Sequence, residues 1–363
     1  MSAATAETVP LFSSFALRNY RLFWVGGFVS NIGTWMARIA QDWLVLTVLT
    51  HNSAFALGLI TGLQFLPTAV LAPYAGTLAD RFDKRRVLIL TQVNYRTGRL
   101  HDMAALSAAA HAAGALAVWD LAHSAGAVPV ALAADGADFA VGCGYKYLNG
   151  GPGAPAFCWA RPDHAAAAWQ PLAGWHGHAA PFAFEPGYQP APGMARYLCG
   201  TPPVLAMAAL ECGVDTLLAA EALGGMAAIR AKSLALTRLF ITLVQQRCGG
   251  HGLVFASPDA DAERGSQVCL AFAPDSAAGR AGGAFAVVQA LIARRVVGDF
   301  RAGAPANDRR DGQRDGLPDI LRFGVTPLYT RFADVWDGVE QLRQVLASGE
   351  WREPRFNQRG VVT

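Results

Sequence analysis

Lys146 stands between two tyrosines in the run Gly144-Tyr145-Lys146-Tyr147-Leu148-Asn149-Gly150-Gly151-Pro152-Gly153. The chain has only three lysines, Lys84, Lys146 and Lys232. One of them therefore precedes a glycine-rich turn in a largely apolar stretch. A lysine withdrawn from water loses part of its charge and becomes an amine nucleophile, which Schiff-base chemistry requires. The same pattern fits a surface lysine beside an ordinary turn.

An acid lies 26 residues upstream. Ala115-Leu116-Ala117-Val118-Trp119-Asp120 reads as a short buried strand ending in a carboxylate, and Leu121-Ala122-His123-Ser124-Ala125-Gly126 as the turn after it. Ala137-Asp138-Phe139-Ala140-Val141-Gly142-Cys143-Gly144 is a second strand-like run that delivers Lys146. Strand, acid, helix or loop, strand, lysine is an order suited to an α/β enzyme holding pyridoxal phosphate. The acid keeps the pyridinium nitrogen protonated, so the ring can accept electrons from a substrate carbanion, and the lysine carries the cofactor aldehyde. Taken alone, Asp120 also suits a turn or a helix cap.

The elements that must position these groups come from the periodicity. Residues 100–200 alternate strand and helix patterns, which predicts a parallel-sheet α/β core. The stretch 202–246 is rich in alanine and leucine at helical spacing, with a break at Gly224-Gly225. Residues 266–272 and 320–325 read as strands of a smaller C-terminal layer, and 334–347 as a closing amphipathic helix. Residues 303–318 are rich in Gly, Asp and Arg without apolar period and read as an inserted flexible loop.

Length and charge bound the function. The 363 residues suffice for two or three domains. The net charge of +3 is spread without a basic block, so nucleic acid is not suggested. The six cysteines form no C-x-x-C pair, which argues against a zinc site or a disulfide framework and fits a reducing compartment. His176 and His178 are two candidate ligands without a third, so no metal site is expected.

The N-terminal quarter has a different character. No Asp, Glu, Lys or Arg occurs in residues 43–79. Residues 54–79 are long enough for a membrane-spanning helix of ~20 apolar residues. Residues 22–49 are also apolar, interrupted by Arg38 and Asp42, which are spaced to pair on one helix face. Arg18 and Arg21 precede the first segment, and Arg81, Lys84, Arg85 and Arg86 follow the second. Two crossings put both basic flanks on one side of a membrane.

Leu17-Arg18-Asn19-Tyr20-Arg21-Leu22-Phe23-Trp24 and Gly76-Thr77-Leu78-Ala79-Asp80-Arg81-Phe82-Asp83-Lys84-Arg85-Arg86 carry a resemblance to the start of a major facilitator superfamily transporter. The resemblance implies the first two helices and the loop after them. A substrate path between two six-helix halves cannot come from two helices, so transport is not expected.

From about residue 90 onward the chain resembles kynureninase, a fold-type-I pyridoxal phosphate enzyme. The resemblance rests on Val93-Asn94-Tyr95-Arg96-Thr97-Gly98, Trp119-Asp120-Leu121-Ala122-His123, Gly144 to Gly153, Gly174-Trp175-His176-Gly177-His178 and Leu198-Cys199-Gly200-Thr201-Pro202-Pro203. It rests also on Gly265-Ser266-Gln267-Val268, Gly298-Asp299-Phe300-Arg301 and Leu321-Arg322-Phe323-Gly324. It implies hydrolysis of L-kynurenine, or 3-hydroxykynurenine, to the anthranilate and L-alanine, in a cytoplasmic homodimer of tryptophan catabolism. Lys146 would hold the cofactor and Tyr145 would touch its phosphate and donate a proton. Asp120, His123, Trp175, Thr201 and Thr91 would contact the cofactor, and Arg322 would clamp the substrate carboxylate, which a planar guanidinium fork suits.

The expected organisation is thus a transporter-like two-helix membrane segment over 1–89, a truncated cofactor-binding large domain over 90–222 and a small α+β domain over 223–363. The fold class is α/β, fold type I, preceded by two transmembrane-type helices. The family's opening segment is replaced by the transporter piece. Since that segment would supply the other side of the cofactor socket, weak cofactor binding and poor turnover are expected. The alternatives are an inactive membrane-tethered chimera and a different fold-type-I enzyme, such as a cysteine desulfurase or an aminotransferase. The last is disfavoured by the contexts of Trp175, Thr201 and Arg322.

Overall fold

A computed structural model describes residues 87–167, 172–185, 187–303 and 317–358, with six further positions between 43 and 55. The chain divides into two compact units, Met1–Lys84 and Arg85–Thr363, and every element below belongs to the second. Apart from those six positions, the expected membrane segments at 22–49 and 54–79 lie outside the described residues, as does most of the 303–318 loop. Among the described residues no helix is long and apolar enough to cross a membrane.

The first sheet runs β1 (Val87–Thr91), β2 (Leu116–Asp120), β3 (Phe139–Cys143) and β4 (Ala156–Ala160), in that spatial order. β1, β2 and β3 are parallel, and β4 is antiparallel to β3. Helix α1 (Met103–Ala112) links β1 to β2. Its first turn is capped by Asp102, whose carboxylate accepts from the Ala105 N–H at 2.9 Å. One sheet face is closed by this helix: Ala117, Trp119 and Ala140 pack with Met103 and Ala110. The Trp119 indole is fully enclosed and donates to Ser107 Oγ at 3.0 Å. The alternate residues Val87, Ile89, Leu116 and Val141 are exposed on the opposite face.

The segment between β2 and β3 is a series of turns, and His123 sits on the turn expected after Asp120. The expected alternation of strand and helix needs correction: no helix separates β2 from β3, and β4 returns antiparallel after a twelve-residue loop (144–155). That loop carries Lys146. Glycine is required in it for space: a Cβ on Gly150 would come within 2.9 Å of the Gly144 carbonyl oxygen.

Helix α2 (Pro162–Ala167) follows β4, and α3 (Val204–Leu218) and α4 (Gly225–Arg247) follow in turn. Gly224 adopts φ 103° between them, which accounts for the break. The second sheet holds β5 (Leu253–Phe255), β6 (Gln267–Phe272), β7 (Asp299–Arg301) and β8 (Ile320–Gly324) in the order β5-β6-β8-β7, all antiparallel. Helix α5 (Ala284–Ala293) precedes β7. The closing helix α6 (Phe332–Ser348) starts two residues before its expected position. It buries Val335, Val339, Leu342 and Val345 against α4 residues Leu236, Phe240 and Val244 and against Leu270 and Leu321 of the sheet.

Candidate active site

The carboxyl ends of the parallel strands gather the polar groups, as is usual for ligand sites of α/β sheets. Asp120 closes β2, and its Oδ1 accepts from the Ala122 N–H at 2.8 Å, which bends the chain into the turn bearing His123. Thr91 is paired with Asp120 across β1 and β2 and spends its hydroxyl on the Val93 carbonyl at 2.8 Å. β3 ends into the loop that delivers Tyr145, Lys146 and Tyr147. The second sheet supplies Gln267, Asp299, Arg301 and Arg322.

His123, Tyr145, Lys146, Tyr147, Arg301 and Arg322 line one cleft of about 450 Å³, together with Asp299. Lys146 is half-buried, with Nζ 5.1 Å from the centre of the Tyr145 ring. Among the described residues it makes no hydrogen bond or ion pair. Although its sequence neighbours are largely apolar, two arginines share its cleft. Burial, reinforced by Lys146, Arg322 and Arg301, lowers the His123 pKa to about 3, so this imidazole is neutral. Burial likewise pushes the Tyr147 phenol up to about 12. Three cations and one carboxylate make the cleft a site for an anionic ligand.

Arg322 is the most constrained of these groups. Its Nη1 donates to the Tyr95 carbonyl at 3.1 Å and lies 3.5 Å from His123 Nε2. Its Nη2 is ion-paired with Asp299. Sequence reading did not single out Asp299, Arg301 or Tyr147 as functional. Strand alternation in Asp299-Phe300-Arg301 carried the signal, because it sets Asp299 and Arg301 on one face.

Trp175 and Thr201 are not brought to this cleft. Trp175 is half-exposed, with its ring edge-on to Phe182 at 5.7 Å, and it lines a separate aromatic cleft with His178, Phe184 and Tyr188. Thr201 is exposed. The two are held near one another because Gly174 packs on Cys199: a Cβ on Gly174 would fall 1.6 Å from the Cys199 carbonyl oxygen. No group of three or more His, Cys, Asp or Glu converges on a metal-sized site among the described residues.

Comparison with known families places this geometry. The model of the class-V aminotransferases matches residues 75–278. The chain belongs to the class-V aminotransferase family. Within this class-V chain, a kynureninase C-terminal domain model matches residues 229–342, and a transmembrane secretion effector model matches residues 9–135. The described part of that last match, 87–135, forms β1, α1 and β2 of the class-V fold. Kynureninase of Burkholderia mallei (strain SAVP1) is 50% identical over 281 residues, covering 77% of this chain and 61% of the relative. Kynureninase of Pseudomonas fluorescens is 50% identical over 277 residues, covering 76% and 60%. The chain therefore spans about three fifths of the length of these curated relatives.

Among solved structures, an apo cysteine desulfurase from Thermococcus onnurineus NA1 superposes with a TM-score of 0.56 at 17% identity, covering 72% of this chain and 60% of that one. A C-DES variant with glycine covalently linked to its PLP cofactor gives 0.54 at 18%, covering 74% and 63%. The architecture is the aminotransferase-like α/β fold of fold type I.

Proposed function

We propose that the chain is a kynureninase-type hydrolase that uses pyridoxal phosphate to cleave L-kynurenine, or its 3-hydroxy derivative, with water into the anthranilate and L-alanine. The observation that carries this reading is Lys146, unpaired among the described residues, facing Arg322 and a neutral His123 across one cleft. Half identity to kynureninases along this part of the chain supports the same substrate class. We read residues 90–222 as the part that holds the cofactor, 223–363 as the part that closes on the substrate, and a cytoplasmic homodimer as the assembly.

The residues present fit the cofactor on one wall. Lys146 offers an amine, Asp120 Oδ2 has no hydrogen-bond partner among the described residues, and the cationic cleft suits a phosphate or carboxylate. Pyridoxal phosphate, when bound, supplies an aldehyde that condenses with amines and a ring that draws electrons from the amino acid's Cα. Asp120 would face the ring nitrogen and keep it protonated. Lys146, once freed by the substrate amine, would take the Cα proton and return it to the product. Neutral His123 can hold a hydrogen bond beside the cofactor without adding a charge. Tyr145, half-exposed at the mouth, is positioned to contact phosphate and to donate a proton. Arg322 would grip the α-carboxylate. Water would add to the side-chain ketone; cleavage between Cβ and the carbonyl carbon would then release the anthranilate with the new carboxyl group and leave the electron pair on Cβ, which a proton converts to the methyl of L-alanine. Thr91, at the end of β1 beside Asp120, would add a cofactor contact in this reading, whereas Trp175 and Thr201 lie outside the cleft and add none there.

Purified chain mixed with excess pyridoxal phosphate is expected to show a weak absorbance band that Lys146→Ala abolishes, and slow kynurenine-dependent release of anthranilate. A band that survives Lys146→Ala, or release of sulfide from cysteine in place of anthranilate, would refute the proposal. A second reading, a membrane-tethered chain without hydrolase activity, is favoured by the transmembrane secretion effector match at 9–135. Recovery of the chain in the membrane fraction with no turnover would support it.

A further inference from the structure

Asp299 has no part in the chemistry above, yet it occupies the residue meant to grip the ligand. It lies directly opposite Arg322 in the β7–β8 ladder, and its carboxylate is ion-paired with Arg322 Nη2. Both two-nitrogen edges of a guanidinium include Nη2, so Asp299 stands where a ligand carboxylate takes its bidentate grip. Tyr95 O holds Nη1 from the other side. A ligand carboxylate added without moving Asp299 would bring two carboxylates onto one cation.

The same carboxylate has a second place to go. Arg301, two residues further along β7 and on the same face, reaches Asp299 Oδ2 through Nη2 at 2.9 Å. Arg301 Nε and Asp299 Oδ2 are both shielded from water and neither has a hydrogen-bond partner among the described residues, so Asp299 is held by charge alone. The Nε and Nη2 edge of Arg301 can therefore take both oxygens of Asp299 once Arg322 lets go. Side chains 39% and 43% exposed have the room to make that movement.

We propose that Asp299 is an internal carboxylate that holds Arg322 aimed into the cleft and is exchanged for the carboxylate of the incoming amino acid, with Arg301 receiving it. This rests on the reading of Arg322 as the carboxylate clamp. Asp299 and Arg301 are then positioning residues that set how readily the cleft accepts an acid. The pairing offsets one of the three cationic charges of the cleft, and a ligand carboxylate binds at Arg322 only by replacing it.

The test uses the full chain, with and without pyridoxal phosphate, and two small probes: propionate and its neutral amide, propionamide. Binding is read by ligand-observed NMR, and folding by the melting temperature. Wild type is expected to prefer propionate. Asp299→Asn and Asp299→Ala should each bind propionate about threefold tighter, the size of a partly exposed ion pair, with propionamide unchanged. Arg301→Gln should weaken propionate when Asp299 is present and leave it unchanged in the Asp299→Asn background. A purely long-range charge effect would weaken it equally in both backgrounds, which would overturn the exchange. So would folded Asp299 variants that bind propionate no tighter than wild type. In both cases the clamp reading stands, provided that Arg322→Gln abolishes the preference for propionate. If the preference survives Arg322→Gln, or appears in no background, the clamp reading falls and the exchange with it.

Discussion

Replacing Asp138 should loosen the sheet that delivers Lys146. Asp138 immediately precedes β3, and its side chain is 1% exposed. Its Oδ2 accepts from the Ala117 N–H at 2.8 Å and from His111 Nε2 at 2.8 Å, and its Oδ1 from His164 Nε2 at 2.9 Å, with Arg161 Nη1 at 2.8 Å. One carboxylate thus ties α1, the start of β2 and α2 to the strand whose far end leads into Lys146. In Asp138→Ala the buried Ala117 N–H loses its acceptor, which costs about 1–3 kcal/mol. The His111, His164 and Arg161 contacts are partly open to water, and each contributes about 0.2–1 kcal/mol. The expected loss is about 3 kcal/mol, and Asp138→Asn, which keeps one acceptor, should lose about half of it.

The same carboxylate has a pH signature. Burial pushes its pKa up, but the bonds from Ala117, His111 and His164 outweigh that and hold it below the ordinary carboxylate value. A depressed folded pKa stabilises the fold above the unfolded value of about 3.9, and that contribution is lost as pH falls through the folded pKa. Urea denaturation of the full chain at pH 7 and at steps down to pH 3 is the assay. Wild type should lose stability at the acid end, and Asp138→Asn should lose less there. A change in Asp138→Ala below 1 kcal/mol at pH 7, or the same acid limb in both proteins, would refute the assignment of Asp138 as the tie.

His123 should show no imidazole titration between pH 5 and 8 by NMR, because burial and the neighbouring cations hold its pKa at about 3. The sign for stability is opposite to that of a paired histidine. The unfolded chain binds the proton near 6.5 and the fold does not, so stability falls as pH drops from about 6.5 toward 3, and His123→Gln should remove that slope. Gly174→Ala places a methyl on the Cys199 carbonyl. It should displace the Trp175 loop, with a loss of at least about 2 kcal/mol if the loop stays packed, and a changed tryptophan emission checks it.

The placement of the candidate groups on their elements was legible in the sequence where it depends on local order. Asp120 at a strand end, His123 after it and Lys146 before a glycine turn follow from period-two alternation and turn residues, which short segments encode by themselves. Strands β6 and β8 of the second sheet and the closing helix were legible for the same reason, whereas the three-residue strands β5 and β7 were not. The antiparallel return of β4 and the helix-free link from β2 to β3 were not, because strand direction is set by which neighbour offers the best ladder and core. Nor did the sequence reveal the cationic surroundings of Lys146. Arg301 and Arg322 come from strands more than 150 residues away, and only the tertiary fold brings them to the lysine's cleft.

The sequence by itself determined the order of chemical groups along the chain and the elements that carry them, since propensity, capping and periodicity act over a few residues. Tertiary structure alone decided which charges share the cleft. It set Asp299 on Arg322 and withdrew His123 from water until it lost its proton. It also held Trp175 and Thr201 away from Lys146. Those outcomes depend on distance and burial in three dimensions, and neither is a property of sequence spacing.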